Sequence, residues 1–209
     1  MKFYDCKTAP SPRRVRMFLA EKGLAVETIQ VDLRNGEHLS EAFRAINPYC
    51  TVPVLVLDDG AKLFSTAGIW RYLEAAHPSP PLMGRTPAEM GRVADLQWRI
   101  ETDFFLAVAE ALRNAAPGMK GRAVTGPASV DQIPALAERG RARARRFLEA
   151  LDGFVGDGPF LAGDALSVAD IDLFIGVEFA KWIKMEMPEG AARARRWHAA
   201  MAARPSARA

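Results

Sequence analysis

The sequence predicts a two-part chain: an α/β unit with a mixed sheet, followed by an all-α helical bundle. Three observations carry this. Over the first 77 residues the hydrophobic periodicity switches repeatedly between strand-like alternation and helix-like spacing. His77-Pro78-Ser79-Pro80-Pro81 then stops both neighbouring elements and stiffens the chain. Beyond it the strand patterns vanish. The expected division is an N-terminal domain over 1–77, a linker over 78–86 and a C-terminal domain over 87–209.

Taken in order, Lys2 to Asp5 reads as a short strand. Pro12 to Lys22 reads as a helix with Val15, Phe18 and Leu19 on one face, Arg13, Arg16 and Glu21 pointing away, and Gly23 as its C-terminal stop. Val26 to Val31 alternates as a strand, and Leu39 to Ile46 is a short helix ended by Asn47-Pro48. Val54 to Leu57 and Ala61 to Phe64 flank Asp58-Asp59-Gly60, a hairpin signal, and Ala67 to Ala76 is helical. The order βαβαββα implies a compact mixed sheet. In the second part Pro87 to Asn114 is a long, bent helix, 116–132 a loop, and Pro134 to Phe154 a second helix. Leu166 to Trp182 is apolar nearly all round, which suits the middle of a bundle, and Ser167 and Asp170 stand at capping-box spacing. Ala191 to Ala203 supplies a last helix.

Composition narrows the functional classes. Hydrophobic residues at 49% and charged residues at 25% are ordinary globular proportions, which argues against disorder. No apolar run is long enough to span a bilayer, so no membrane partner is expected. The N-terminus enters a strand pattern directly, and two cysteines, Cys6 and Cys50, make no disulfide framework; a cytoplasmic protein is expected. Net charge is +3, with arginines gathered in 139–146 and 193–196 among alanines. Without interleaved aromatics these read as solvated helix faces, and no nucleic-acid partner is expected. A mild positive excess still suits a small anion.

Three features of the first part converge on such a ligand. Thr8-Ala9-Pro10-Ser11-Pro12 puts hydroxyls just before a helix N-terminus, where free amides and the helix dipole favour an anion and would lower the pKa of a bound thiol. Ser11 as a plain helix cap is the alternative. Thr51-Val52-Pro53 precedes a strand; a cis bond there would expose the Val52 main chain for an extended peptide to pair with. Phe64-Ser65-Thr66 turns a strand into a second helix N-terminus able to hold a carboxylate, again with capping as the alternative.

These pieces carry a family resemblance. Ser11-Pro12-Arg13-Arg14-Val15-Arg16, Leu19 to Gly23, Asn47-Pro48, Thr51 to Leu55, Leu63 to Ile69, Arg71-Tyr72-Leu73, Phe160 to Asp164, Leu166 to Ile171 and Ala203 to Ser206 follow in the order of the soluble glutathione transferases. The chain resembles that family over essentially its whole length, closest to the bacterial theta- or nu-like members. The resemblance implies a thioredoxin-like first domain that binds glutathione, an all-helical second domain and a homodimer. It implies an enzyme that directs the glutathione thiolate at a small, hydrophobic electrophile, with glutathione as co-substrate and no metal. Glutathione-dependent disulfide or peroxide reduction is the alternative chemistry, and a non-catalytic binding protein the alternative class.

Residue by residue, the resemblance implies that Val52 pairs with the cysteinyl main chain beside a cis Pro53. It implies that Ser65 and Thr66 hold the γ-glutamyl end. Ser65 departs from the family pattern by bringing no negative charge for the α-amino group, so weaker binding is expected. Asp103 from the long helix of a second subunit is a candidate to replace that charge. His38 falls where the family often holds the glycine carboxylate; an exposed loop histidine is the equal alternative. Ser11 is the leading residue to donate a hydrogen bond to the thiolate, with Thr8 the alternative. The segment Thr8 to Arg14 holds no cysteine, and Cys6 is expected to face the core.

Overall fold

A computed structural model describes all 209 residues. Contacts divide the chain into two compact units: Met1–Pro80 with Thr125–Ala128 and Arg208–Ala209, and Pro81–Val124 with Ser129–Ala207.

The first unit runs β1 (Lys2–Asp5), α1 (Pro10–Lys22), β2 (Glu27–Gln30), a 3-10 turn (Glu37–Leu39), α2 (Glu41–Ile46), β3 (Val54–Val56), β4 (Lys62–Leu63) and α3 (Thr66–Ala76). Strand order is β2-β1-β3-β4, with β1 parallel to β2 and antiparallel to β3, and β3 antiparallel to β4. This is the mixed sheet anticipated from the βαβαββα order, in the thioredoxin-like arrangement that the family resemblance implies.

Tyr4 and Val54 are register partners and pack with Val31 and Phe43 on one side of the sheet. Phe3 and Leu55, one position along, are fully buried and point the other way by the pleat. Phe18 of α1 stacks on Trp70 of α3, ring centroids 5.9 Å apart, and both are buried. Lys22 closes this packing. Its buried ammonium pairs with Glu74 at 2.6 Å and donates to the carbonyls of His77 and Pro80 at 2.8 and 2.5 Å. Gly23 then stops α1 at φ 65°, where other residues are strained.

The second unit comprises α4 (Pro87–Arg99), a π-helical turn (Ile100–Phe105), α5 (Leu106–Ala115), α6 (Pro134–Val155), α7 (Val168–Ala180) and α8 (Ala192–Ala202). The long helix expected over 87–114 is interrupted by the π turn. Phe104 and Phe105 within the turn are both buried. Arg143 of α6 donates to the Thr102 carbonyl that the turn leaves over. Gly140 lets α5 and α6 touch: a Cβ there would stand 2.7 Å from the Ala107 oxygen. α7 is buried along nearly its whole length, as its apolar surround predicts.

Candidate functional site

The loop between β1 and α1 spans Cys6 to Ala9, and α1 begins two residues earlier than its periodicity suggests, at Pro10. Ser11 is therefore not the N-cap but a residue of the first turn. The cap is Ala9, in extended geometry, with no side chain to cap anything. The proline spacing decides which amides remain. Pro10 and Pro12 have no N–H, the Ala9 amide donates to the Cys6 carbonyl at 2.9 Å, and the Arg13 amide to the Ala9 carbonyl at 3.2 Å. The Ser11 N–H is the one main-chain donor left over at this positive helix end, and no acidic side chain occupies the first turn.

The Ser11 side chain is held as well. Its Oγ accepts a hydrogen bond from Nη2 of Arg14 at 3.3 Å, and Arg14 is only 6% exposed. With a lone pair committed to a cation, the hydroxyl proton is free to point elsewhere. Arg14 was noted in the sequence only as part of a motif; its spacing of three from Ser11 on a helix was the available signal. Thr8 is exposed, its Oγ1 3.5 Å from Sγ of Cys6, and Cys6 is buried as expected.

The second helix end adjoins the first. Oγ1 of Thr66, which is buried, donates to the Ser11 carbonyl at 3.4 Å. Ser65 is the N-cap of α3, and its Oγ accepts from the Gly68 amide at 3.0 Å. The capping alternative is thus the one Ser65 adopts. The amides of Thr66 and Ala67, ahead of the first intrahelical bond, stay available as donors, again with no acidic residue in the turn.

Val52–Pro53 is cis, and the Val52 N–H and C=O make no main-chain hydrogen bond within the chain. Asn47, fully buried, fixes the approach: its Nδ2 donates to the Thr51 carbonyl at 2.8 Å and to Thr51 Oγ1 at 3.1 Å, while its Oδ1 accepts from the Tyr49 amide at 2.9 Å. Ser11 and Thr66 are thus directly joined, and Ser65 is chain-adjacent to Thr66. Val52 and Pro53 make no hydrogen bond to either and lead directly into β3. His38 sits in the 3-10 turn before α2 and is 9% exposed, not an exposed loop histidine. Among the aromatics of the other unit, Phe105 is core at 5% exposure, whereas Trp98 and Trp182 are exposed.

Chemically, the first unit offers two adjoining helix N-termini with open amides and an unpaired extended peptide segment. Such a set is chemically suited to a short peptide that carries anionic groups.

Comparison with known proteins gives this arrangement a lineage. Two family models match the chain: glutathione S-transferase, N-terminal domain, over residues 8–76, and glutathione S-transferase, C-terminal domain, over residues 135–209. Glutathione S-transferase 2 of Saccharomyces cerevisiae is 34% identical over 209 residues, covering 99% of this chain and 87% of that one. Among solved structures, a glutathione S-transferase domain-containing protein of Marinobacter aquaeolei has a TM-score of 0.89 at 36% identity and covers 99% of both chains. Gtt2 of Saccharomyces cerevisiae gives 0.89 at 34% identity, over 99% of this chain and 98% of that one. With both domain models matched in order and a relative aligned along nearly the full length, the chain belongs to the glutathione S-transferase family.

Proposed function

We propose that this protein is a glutathione transferase that binds glutathione on its first unit, ionises the thiol at the N-terminus of α1 and directs the thiolate at an electrophilic, hydrophobic small molecule. The observation that carries the reading is the Thr66 to Ser11 hydrogen bond, 3.4 Å, which sets two open helix N-termini side by side. One is suited to the γ-glutamyl carboxylate, through the amides of Thr66 and Ala67. The other is suited to the thiolate, through the Ser11 N–H and hydroxyl. The Val52 main chain, beside cis Pro53, is suited to the cysteinyl peptide between them. The names of the relatives support the same substrate.

A neutral seryl hydroxyl has no basicity to remove a thiol proton at pH 7. Ser11 instead stabilises the thiolate once formed, by donating a hydrogen bond, and the helix end lowers the thiol pKa. Ser65, whose hydroxyl also caps α3, stands beside the γ-glutamyl end with Thr66 but brings no negative charge for the α-amino group. His38 is assigned to the glycine carboxylate on the family resemblance alone. A homodimer and a role in detoxification rest on the same resemblance, and a cytoplasmic location on the cysteine usage.

Titration calorimetry with reduced glutathione tests the binding half, with Thr66→Val as the control. Micromolar to low-millimolar binding that weakens in the variant supports the site; no heat with the parent, checked by an orthogonal assay, removes it. Turnover of an aryl halide, set against reduction of a mixed glutathione disulfide, separates transfer from thiol–disulfide exchange.

A further inference from the structure

The loop that leads into α1 has no cap of its own, so something else must order it. Asp5, the last residue of β1, is 1% exposed, and both of its carboxylate oxygens are taken. Oδ1 accepts from Nη1 of Arg16 at 2.5 Å, and Oδ2 accepts from Nε2 of Gln30 at 2.6 Å. Both partners then reach past Asp5 to the loop. Arg16 donates through Nη1 to the Cys6 carbonyl at 3.4 Å and through Nη2 to the Lys7 carbonyl at 3.0 Å. Oε1 of Gln30 accepts from the Lys7 amide at 2.9 Å. Helical periodicity had placed Arg16 among the residues pointing away; instead its side chain is 14% exposed and folds back onto the loop.

We propose that Asp5, Arg16 and Gln30 form a clamp that sets the β1–α1 loop for thiolate stabilisation, with Arg16 as its positioning residue. The clamp draws on three elements, β1, α1 and β2, and grips Lys7 at both its N–H and its C=O. The Cys6 carbonyl that Arg16 holds also receives the Ala9 amide, so the grip extends to the N-cap of α1. A guanidinium suits this work because its planar fork donates in several fixed directions; an ammonium is a point charge and cannot span the same three acceptors. The buried pair is fully hydrogen-bonded, so it adds rigidity without leaving an orphan charge. The anchors proposed for the rest of glutathione, Val52 and the N-terminus of α3, lie on other elements. Loosening the clamp should therefore disturb the chemical step far more than binding. This proposal rests on the reading that the thiol lies at the N-terminus of α1.

The test is Arg16→Lys, with Gln30→Ala as a milder variant should the first fold poorly, each measured for kcat, glutathione KM, melting temperature and the pKa of the bound thiol. A misplacement of about 1 Å can cost on the order of 100-fold in rate. The expected result for Arg16→Lys is a kcat about 10- to 100-fold lower with glutathione KM within about twofold, and a raised bound-thiol pKa. Gln30→Ala should show the same signs more weakly. A merely structural role would lower the melting temperature and leave the thiol pKa and the kcat-to-KM split as in the parent, which overturns the proposal. Amide chemical-shift mapping with glutathione separates this failure from failure of the underlying reading. Shifts at Ala9 and Ser11 together with unchanged kinetics sink the clamp alone, whereas no shifts there sink both.

Discussion

The N-termini of α7 and α1 face the same physical problem and solve it in opposite ways. At α7 the chain seals its own helix end. Ser167 and Asp170 close a capping box, and the Asp170 carboxylate, fully buried, accepts from four donors. These are the amides of Leu161 and Ser167 at 2.9 and 3.0 Å, the Ser167 hydroxyl at 3.0 Å and the Trp197 indole N–H at 2.9 Å. At α1 there is no capping side chain and no acid, two prolines have deleted the surplus donors, and one amide is left facing outward. A sealed end belongs to the fold. An end kept open, beside a second one at α3, is what the proposed thiolate site requires. Lack of a local cap is not enough to identify such an end: α8 also starts without one, yet Asp152 of α6 takes the amides of Arg193 and Ala194 at 2.7 and 3.1 Å.

The comparison can be broken at either end. Asp170→Ala is expected to have the largest effect, about 3 kcal/mol or more of stability, because it strands several buried donors at once. Urea unfolding reads this directly, and a loss under about 1 kcal/mol would mean water or repacking takes over. Burial raises the Asp170 pKa while the four hydrogen bonds oppose that rise, so the carboxylate is held by its partners rather than by solvent. Sealing the open end is the converse experiment. Ala9→Asp would give α1 the cap it lacks, since Ala9 already has extended cap geometry. Stability should rise by about 0.5–1 kcal/mol, while kcat/KM for glutathione falls about tenfold or more through repulsion of the thiolate. A rise in both quantities would show that the thiolate lies elsewhere.

The far end of α7 offers a smaller test, by pH. Glu178 sits in the last turn, where the helix dipole disfavours an anion, and is rescued by His198 at 2.8 Å and Lys181 at 2.6 Å. Its pKa is lowered to about 2, chiefly by the His198 hydrogen bond. A carboxylate with a depressed native pKa stabilises the fold above its unfolded pKa, and the contribution is lost as pH falls from there through the native value. Because the pair is partly exposed, the contribution is discounted to about 1 kcal/mol. Glu178→Gln should therefore lower stability by about that much at pH 7 and by clearly less near pH 2, where the native carboxylate is half protonated. An equal deficit at both pH values would assign the loss to packing. Ser11→Ala is expected to be the mildest change, raising the bound-thiol pKa by less than about one unit, since the Ser11 amide survives it. A pH–rate profile identical to the parent's would leave the main chain as the only contact.

Much of this was legible beforehand. Period switching located the four strands and three α-helices of the first unit, most plainly β1, α1 and α3, which bury one face and repeat accordingly. The Ser167/Asp170 box and the Ser65 cap were legible because capping is local and depends on a spacing of three. The start of α1 at Pro10 is not legible, because proline tolerates the first turn of a helix as readily as the preceding loop and so carries no boundary signal. The fold-back of Arg16 and the burial of His38 were invisible for a different reason. Both depend on what packs alongside, and periodicity describes only a residue's own element. The π turn lies between these cases: the pattern over 87–114 predicts a bent helix, but carries no signal for where the register breaks.

The most direct test of the central claim, that the open end of α1 holds a thiolate, is a spectroscopic pH titration of glutathione bound to the protein. The account predicts that the bound thiol ionises well below the ordinary value of about 8.5, within reach of neutral pH. A bound thiol that titrates at about 8.5, with saturation confirmed, would contradict it.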